Sequence, residues 1–195
     1  MSAAGPLRTL LVVSLAAAAL CPRARASAWE LDPSATRIEF SVRSLSVTHV
    51  DGRFRLTSGR VTLVEDAPSR STVEVVIDAT SVDTGEPKRD THLRSADFLD
   101  VDHHPSITFR STGIEQVGDG HWKVAGALTI LDATRPVVLD VQGATVHGNR
   151  ADARASVTID RRDFGMTYAG FAVGKEVTIT IDAVGLKSGA GAPAM

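Results

Sequence analysis

The sequence predicts an all-β fold, an eight-stranded antiparallel β-barrel with one short helical segment at about residues 86–99. Three observations carry this. Apolar and polar residues alternate with a period of two in run after run, which gives each strand one dry and one wet face. Turn signals such as Glu65-Asp66-Ala67-Pro68 and Val117-Gly118-Asp119-Gly120 separate the runs at hairpin spacing. One stretch alone, Asp83 to Arg110, breaks the alternation. Eight strands can close on themselves and so remove the exposed edges of an open sheet. A two-sheet sandwich is the alternative, but long strands and a single helix suit a capped barrel better.

The first 28 residues read as a signal peptide. Arg8 precedes an apolar run from Leu10 to Leu20, and Ala26-Ser27-Ala28 has the small-residue pattern of a cleavage site. The run is too short to span a bilayer, which takes roughly 20 apolar residues. The expected domain is residues 29–185, followed by a loose Gly/Ala/Ser/Pro-rich tail at 186–195. Removing the leader leaves 167 of the 195 residues and takes away Cys21, the only cysteine. It also takes three of the 21 basic residues and none of the 23 acidic ones, so the formal charge moves from −2 to −5. A net acidic chain without a basic block argues against nucleic acid as a partner. A cleaved leader implies the periplasm.

Along the domain, Ile38, Phe40 and Val42 share a face opposite Arg37, Glu39 and Ser41. Phe54 and Leu56 continue the pattern, and Val61 and Leu63 resume it with the parity changed, which predicts a β-bulge or bend at Gly59. Val73, Val75, Ile77 and Ala79 form the next strand. Pro87 then suits the first turn of a helix, and Leu93, Ala96 and Leu99 fall three apart on one helical face. Pro105 ends the helical reading, and Ile107 and Phe109 restart a strand. Trp122, Val124, Leu128 and Ile130 follow, with a tight turn at Asp132–Thr134. Val137, Leu139 and Val141, then Ala153 to Ile159, then Val177, Ile179 and Ile181 complete the series.

Catalytic motifs are missing: there is no G-x-S-x-G elbow, no H-E-x-x-H and no phosphate-cradling glycine loop. His103-His104, with Asp100 and Asp102 nearby, is the most metal-like element. Adjacent residues on an extended chain point opposite ways, so a solvated polar loop is the better reading and no metal or cofactor is expected. Arg161-Arg162-Asp163-Phe164-Gly165-Met166 ends a strand with charges and then places Phe and Met beside Gly. This is either a strand end with a core Phe or a barrel rim pairing an Arg with apolar groups. Arg94 and Phe98 offer the same pairing on the helical segment.

These residues bring a family into view. Ser81-Val82-Asp83-Thr84, Arg89-Asp90 with His92-Leu93-Arg94-Ser95, Asp97-Phe98, Pro105-Ser106-Ile107-Thr108-Phe109, Gly126-Ala127-Leu128-Thr129-Ile130, Arg135-Pro136-Val137, and Arg161 with Asp163-Phe164-Gly165-Met166 occur in an order and spacing that resemble the YceI-like proteins, also called the polyisoprenoid-binding lipocalin-like family. The likeness runs from about Trp29 to Gly185. Departures fall at Thr36-Arg37, Ser44 and Leu131-Asp132, where the family usually has His-Ser, His and His-Gly.

The resemblance implies a secreted or periplasmic lipocalin-like barrel whose apolar cavity holds a long-chain isoprenoid or fatty lipid, with neither metal nor enzymatic activity. It also allows a homodimer. The inward-facing candidates for the ligand site are Phe40, Phe54, Val75, Ile77, Phe98, Phe109, Leu128, Ile130 and Phe164, with Arg94 and Arg161 for an anionic head group. The expected function is to carry or sequester such a lipid in the cell envelope. The competing readings are a structural barrel that works through a protein partner and an envelope hydrolase built on His92, His103 or His104 with neighbouring carboxylates.

Overall fold

Alternation of apolar and polar side chains dictates strands, and nine appear among the described residues. They are β1 Ala26–Leu31, β2 Arg37–Ser44, β3 Thr48–Val64, β4 Thr72–Asp83, β5 Ser106–Gly118, β6 His121–Ile130, β7 Ala133–His147, β8 Arg150–Asp160 and β9 Val173–Lys187. The structure is a computed structural model and describes residues 26–44, 48–168 and 173–188. Strands β2 to β9 pair antiparallel in a ring that closes through β2–β3 and β2–β9. The barrel therefore has eight staves. β1 is not a ninth: it pairs with β3 and β9 in line with β2, so β1 and β2 share one stave.

Pro33 explains the break in that stave. Pro has no N–H to give to a ladder and restricts the residue before it. The chain turns instead on Asp32, whose Oδ1 accepts from the Ser34 N–H at 2.8 Å and the Ser34 hydroxyl at 2.6 Å. Thr36 then re-enters the wall, buried, with its Oγ1 accepting from Val184 N–H at 3.1 Å.

Alternate turns share an end of an antiparallel barrel. The β3–β4, β5–β6 and β7–β8 turns lie at one end, which Trp29, Val64, Ile114, Val124 and Val184 plug as buried core. The other end carries the long β4–β5 and β8–β9 connections and the β6–β7 turn. No helix among the described residues is long and apolar enough to cross a membrane.

Several expectations need correction. The helix α1 is Pro87–Arg94, shorter than the expected 86–99, because Ser95 turns extended and caps it with its N–H on His92 O. Its only buried residue is Asp90, Ala96 is exposed, and Leu99 is buried beyond the helix, so the expected three-residue stripe is not a helical face. The parity change in β3 falls at Thr57, between Leu56 and Ser58, and not at Gly59. Gly59 is needed for another reason: a Cβ there would meet the Leu31 side chain at 2.5 Å. The β6–β7 turn is Leu131-Asp132, since Ile130 pairs with Ala133, and Leu131 takes a positive φ of 54°. Strand β1 begins at Ala26, with Ala26, Ser27 and Ala28 paired to Val64, Leu63 and Thr62, so three residues of the expected leader lie in the barrel wall. Leu186 and Lys187 of the expected tail belong to β9. The rest of the expected leader (1–25) and tail (189–195) falls outside the described residues.

Candidate functional site: an apolar lumen under the helix

Every stave turns apolar side chains inward, and above the plugged end they do not meet. A lumen remains that leaves about 140 Å³ for the centre of a water-sized sphere. All eight staves line it, from Ile38, Phe40 and Val42 on β2 to Val177, Ile179 and Ile181 on β9. Leu93, Phe98 and Leu99 close it from the α1 segment, and Met166 from the β8–β9 connection with Val173 at the start of β9. Among the described residues the one charged group in the wall is Arg161.

The α1 segment is held over the barrel by polar contacts, since its own face is polar. Buried Asp90 accepts from Thr84 N–H at 2.9 Å and the Thr84 hydroxyl at 2.5 Å. Arg89 donates to Thr84 Oγ1 and O at 2.7 and 3.0 Å. Arg94 donates from Nε to Thr80 O at 2.8 Å and from Nη2 to Val82 O at 2.5 Å. Those carbonyls belong to a stretch of β4 that has slipped out of register with β3: Arg53 pairs with Asp83, but Arg55 pairs with Asp78. The slip leaves the exposed Thr80 and the buried Val82 without ladder partners in β3, and Arg94 supplies a donor to each carbonyl.

Arg161 sits in a short 3₁₀ turn, Arg161–Phe164, that ends at Gly165 with a φ of 88°. Its side chain is 2% exposed. Nε donates to Gly174 O at 3.0 Å, Nη2 to Val173 O at 3.1 Å, and Nη1 to Met166 O. Desolvation by burial pulls its pKa below the usual arginine value. No carboxylate lies within ion-pair distance of it among the described residues, because Asp160 is taken by Arg162 at 2.6 Å. A guanidinium has five N–H donors, so three hydrogen bonds leave capacity for an anion.

Nine of the eleven expected site residues lie on the lumen wall: Phe40, Phe54, Val75, Ile77, Phe98, Phe109, Leu128, Ile130 and Arg161. Phe164 and Arg94 do not. Phe164 is fully buried in the core, and Arg94 is spent on the β4 carbonyls. Sequence reasoning missed Val82, Leu93, Leu139, Val157, Ile159 and Met166 as wall residues. For Leu139, Val157 and Ile159 the signal was present in the apolar parity of their own strands, whereas Val82 has the opposite parity to Val75 and Ile77 and turns inward only because β4 slips against β3.

The histidines are dispersed. His92 Nε2 meets Asp97 Oδ2 at 2.8 Å, and its ring packs edge-on to Phe98 and Tyr168 with centroids 5.1 Å from each. His103 pairs with Asp100 at 3.0 Å, while His104 faces Asp132 at 3.6 Å. The two adjacent histidines thus serve different carboxylates. No three His, Cys, Asp or Glu side chains among the described residues stand close enough to hold one ion. His121, which has no evident partner in the sequence, bonds to Asp140 at 2.9 Å.

An antiparallel barrel of eight staves, plugged at one end and hollow and apolar towards the other, is the architecture of a lipocalin-like binding fold. The chain belongs to the YceI-like family, whose domain model matches residues 29–185. It is 36% identical over 186 residues to a UPF0312 protein of Pectobacterium carotovorum, covering 93% of this chain and 96% of that one. A UPF0312 protein of Pseudomonas aeruginosa is 33% identical over 188 residues, covering 92% and 98%. Among solved structures, BcnA of Burkholderia cenocepacia superposes with a TM-score of 0.73 at 21% identity, covering 79% of this chain and 98% of that one. A domain from Saccharophagus degradans, described as polyisoprenoid binding, has a TM-score of 0.64 at 15% identity, covering 85% and 100%.

Proposed function

We propose that this protein binds a long-chain isoprenoid or related amphiphilic lipid in its lumen and carries or sequesters it in the periplasm. The observation that carries this reading is a lumen apolar on every stave with a single buried, carboxylate-free arginine in its wall. Burying one CH₂ contributes about 0.8 kcal/mol. Ten carbons therefore contribute about 8 kcal/mol, set against an association cost of about 4–15 kcal/mol. Tight binding calls for a chain longer than ten carbons or a head-group contact, and Arg161 is the group placed to make one. The description of the Saccharophagus degradans domain as polyisoprenoid binding supports the same ligand class. The signal-like leader supports the location. A binding role is supported by the family match and by a wall whose one charged group among the described residues is a guanidinium, which does not exchange protons near neutral pH.

The test is native mass spectrometry of the protein purified from the periplasm of a bacterial host, followed by solvent extraction. The expected result is a bound species in the mass range of a long-chain lipid, released on denaturation. An empty protein that also refuses a supplied panel of prenyl and fatty compounds overturns the reading.

A further inference from the structure

The lumen wall has a thin place. On its outer side, between β2, β3, β9 and the end of β4, lies a groove that leaves about 530 Å³ for the centre of a water-sized sphere. Glu39, Asp51, Arg53, Asp83, Thr178 and Thr180 line it. Of the described residues, Phe40 is the one shared by the lumen wall and this groove. Phe40 is therefore the residue at which the apolar interior and the polar exterior come closest.

Three features make that boundary movable. Phe40 pairs across β2–β3 with Gly52, and a Cβ on Gly52 would meet the ring at Cε1 2.6 Å away and Thr84 Cγ2 at 2.8 Å. Glycine leaves a notch that the ring shares with the Thr84 methyl and that any side chain at 52 would fill. Beside the notch the β3–β4 ladder lapses: four residues of β4, 79 to 82, face only Phe54 between the Arg53–Asp83 and Arg55–Asp78 pairs. The seam there is held by side chains in place of a backbone ladder: Arg55 N–H donates to Ser81 Oγ at 2.8 Å, and Arg94 takes the Thr80 and Val82 carbonyls. Phe40 itself is only half-buried, although it points inward, and leans on Phe54 at a centroid distance of 5.2 Å.

We propose that the barrel has a second, lateral mouth at this seam, closed by the Phe40 ring, through which the far end of a chain held in the lumen emerges into the groove. This rests on the lumen being the binding site. Arg53 is taken up by Asp83 at 2.6 Å, whereas Glu39 and Asp51 form no ion pair among the described residues. The groove thus favours a neutral or cationic chain end and repels an anionic one. An amphiphile with an anionic head would keep that head near Arg161 and send its apolar end towards Phe40.

The experiment reads access without needing a lipid. In the full chain, Ile179→Cys puts a thiol on the lumen wall opposite Phe40 in the β2–β9 ladder. Its alkylation by a trimethylammonium or a sulfonate methanethiosulfonate reagent is followed by peptide mass, so that Cys21 does not enter the readout. Adding Phe40→Ala is expected to raise the rate with the cationic reagent about tenfold, as the closing ring is lost, and with the anionic reagent by less. Phe40→Leu gives a smaller rise and serves if Phe40→Ala does not fold. Ile114→Ala, which opens a hole in the plugged end, leaves the rate unchanged. Rates indifferent to both Phe40 variants, or raised as much by Ile114→Ala, overturn the mouth. A chain that binds no lipid but shows the Phe40-dependent rate overturns the carrier reading and leaves the mouth standing.

Discussion

Arg161 decides more than any other single residue, because it does two jobs at one place. Its three hydrogen bonds to the carbonyls of Met166, Val173 and Gly174 tie both ends of the β8–β9 connection to the barrel. Arg161→Ala leaves those carbonyls buried without partners and is expected to cost about 3 kcal/mol, a fall in Tm of roughly 6–12 °C by calorimetry. The same variant should weaken binding of a prenyl phosphate more than of the matching prenyl alcohol. Equal losses for both would show a purely structural arginine. Exposed carboxylates set the response to acid. Lys123, with Gln142 and His121, holds Asp140 at about 2, and Arg162 holds Asp160 at about 2. Both are depressed in the folded state, so their contribution is complete above the unfolded carboxylate value near pH 4 and is lost as the pH falls through about 2. Tm should be level from pH 7 to about pH 5 and fall from about pH 4 to pH 2. The Asp140→Asn, Asp160→Asn double variant should start lower and fall less steeply, and a slope identical to the parent's would show that other groups control the acid limb.

At the scale of elements, α1 is an attached lid whose attachment is polar. A helix with one buried residue has no apolar face to hold it, so the Asp90–Thr84 bonds and the Arg94–carbonyl bonds carry the load. Asp90→Ala is expected to cost about 2–3 kcal/mol and to raise amide exchange in 87–94 well above that in β6. Uniform exchange in both would mean that α1 opens only with the whole barrel. The strands were readable in the chain because alternation is local: Val124, Leu128 and Ile130 announce an inward face without knowledge of any partner. The end of the helix was less readable, since Leu99 keeps helical spacing with Leu93 and only the extended Ser95 shows that the chain has already turned. The single stave made of β1 and β2 depends on register with β3 and β9, which sequence spacing does not contain. The same holds for the lumen. Phe109 fills the space over Gly126, as Phe40 does over Gly52, and such cross-strand fits decide which inward residue is core and which is wall. Arg161 resembled a rim residue by composition, yet its partners are backbone carbonyls five to thirteen positions away, invisible to any pattern of side chains.

The whole molecule divides its interior between a packed end and a hollow one, and the division predicts how stability and binding are linked. Closure of the eight staves leaves the lumen as the place where apolar surface is still unpaired. A ligand that fills it binds only the folded state. At one hundred times its Kd it should stabilise by about 2.7 kcal/mol, which for a domain of this size raises Tm by roughly 5–11 °C. Packed core and lumen wall should then respond differently to truncation, even for two residues paired across β6–β7. Val124→Ala removes packing from buried core that does not line the lumen and should cost about 1–3 kcal/mol with or without ligand. Leu139→Ala borders space that is already open, so it forfeits fewer contacts in the free protein and more in the complex, where it would face the bound chain. The expected result is a ligand-induced rise in Tm that survives Val124→Ala and shrinks with Leu139→Ala, read by calorimetry with a long-chain prenyl alcohol. A rise equally reduced by both variants would place the ligand outside the lumen, because Leu139 lines the lumen wall and Val124, its cross-strand partner on β6, does not.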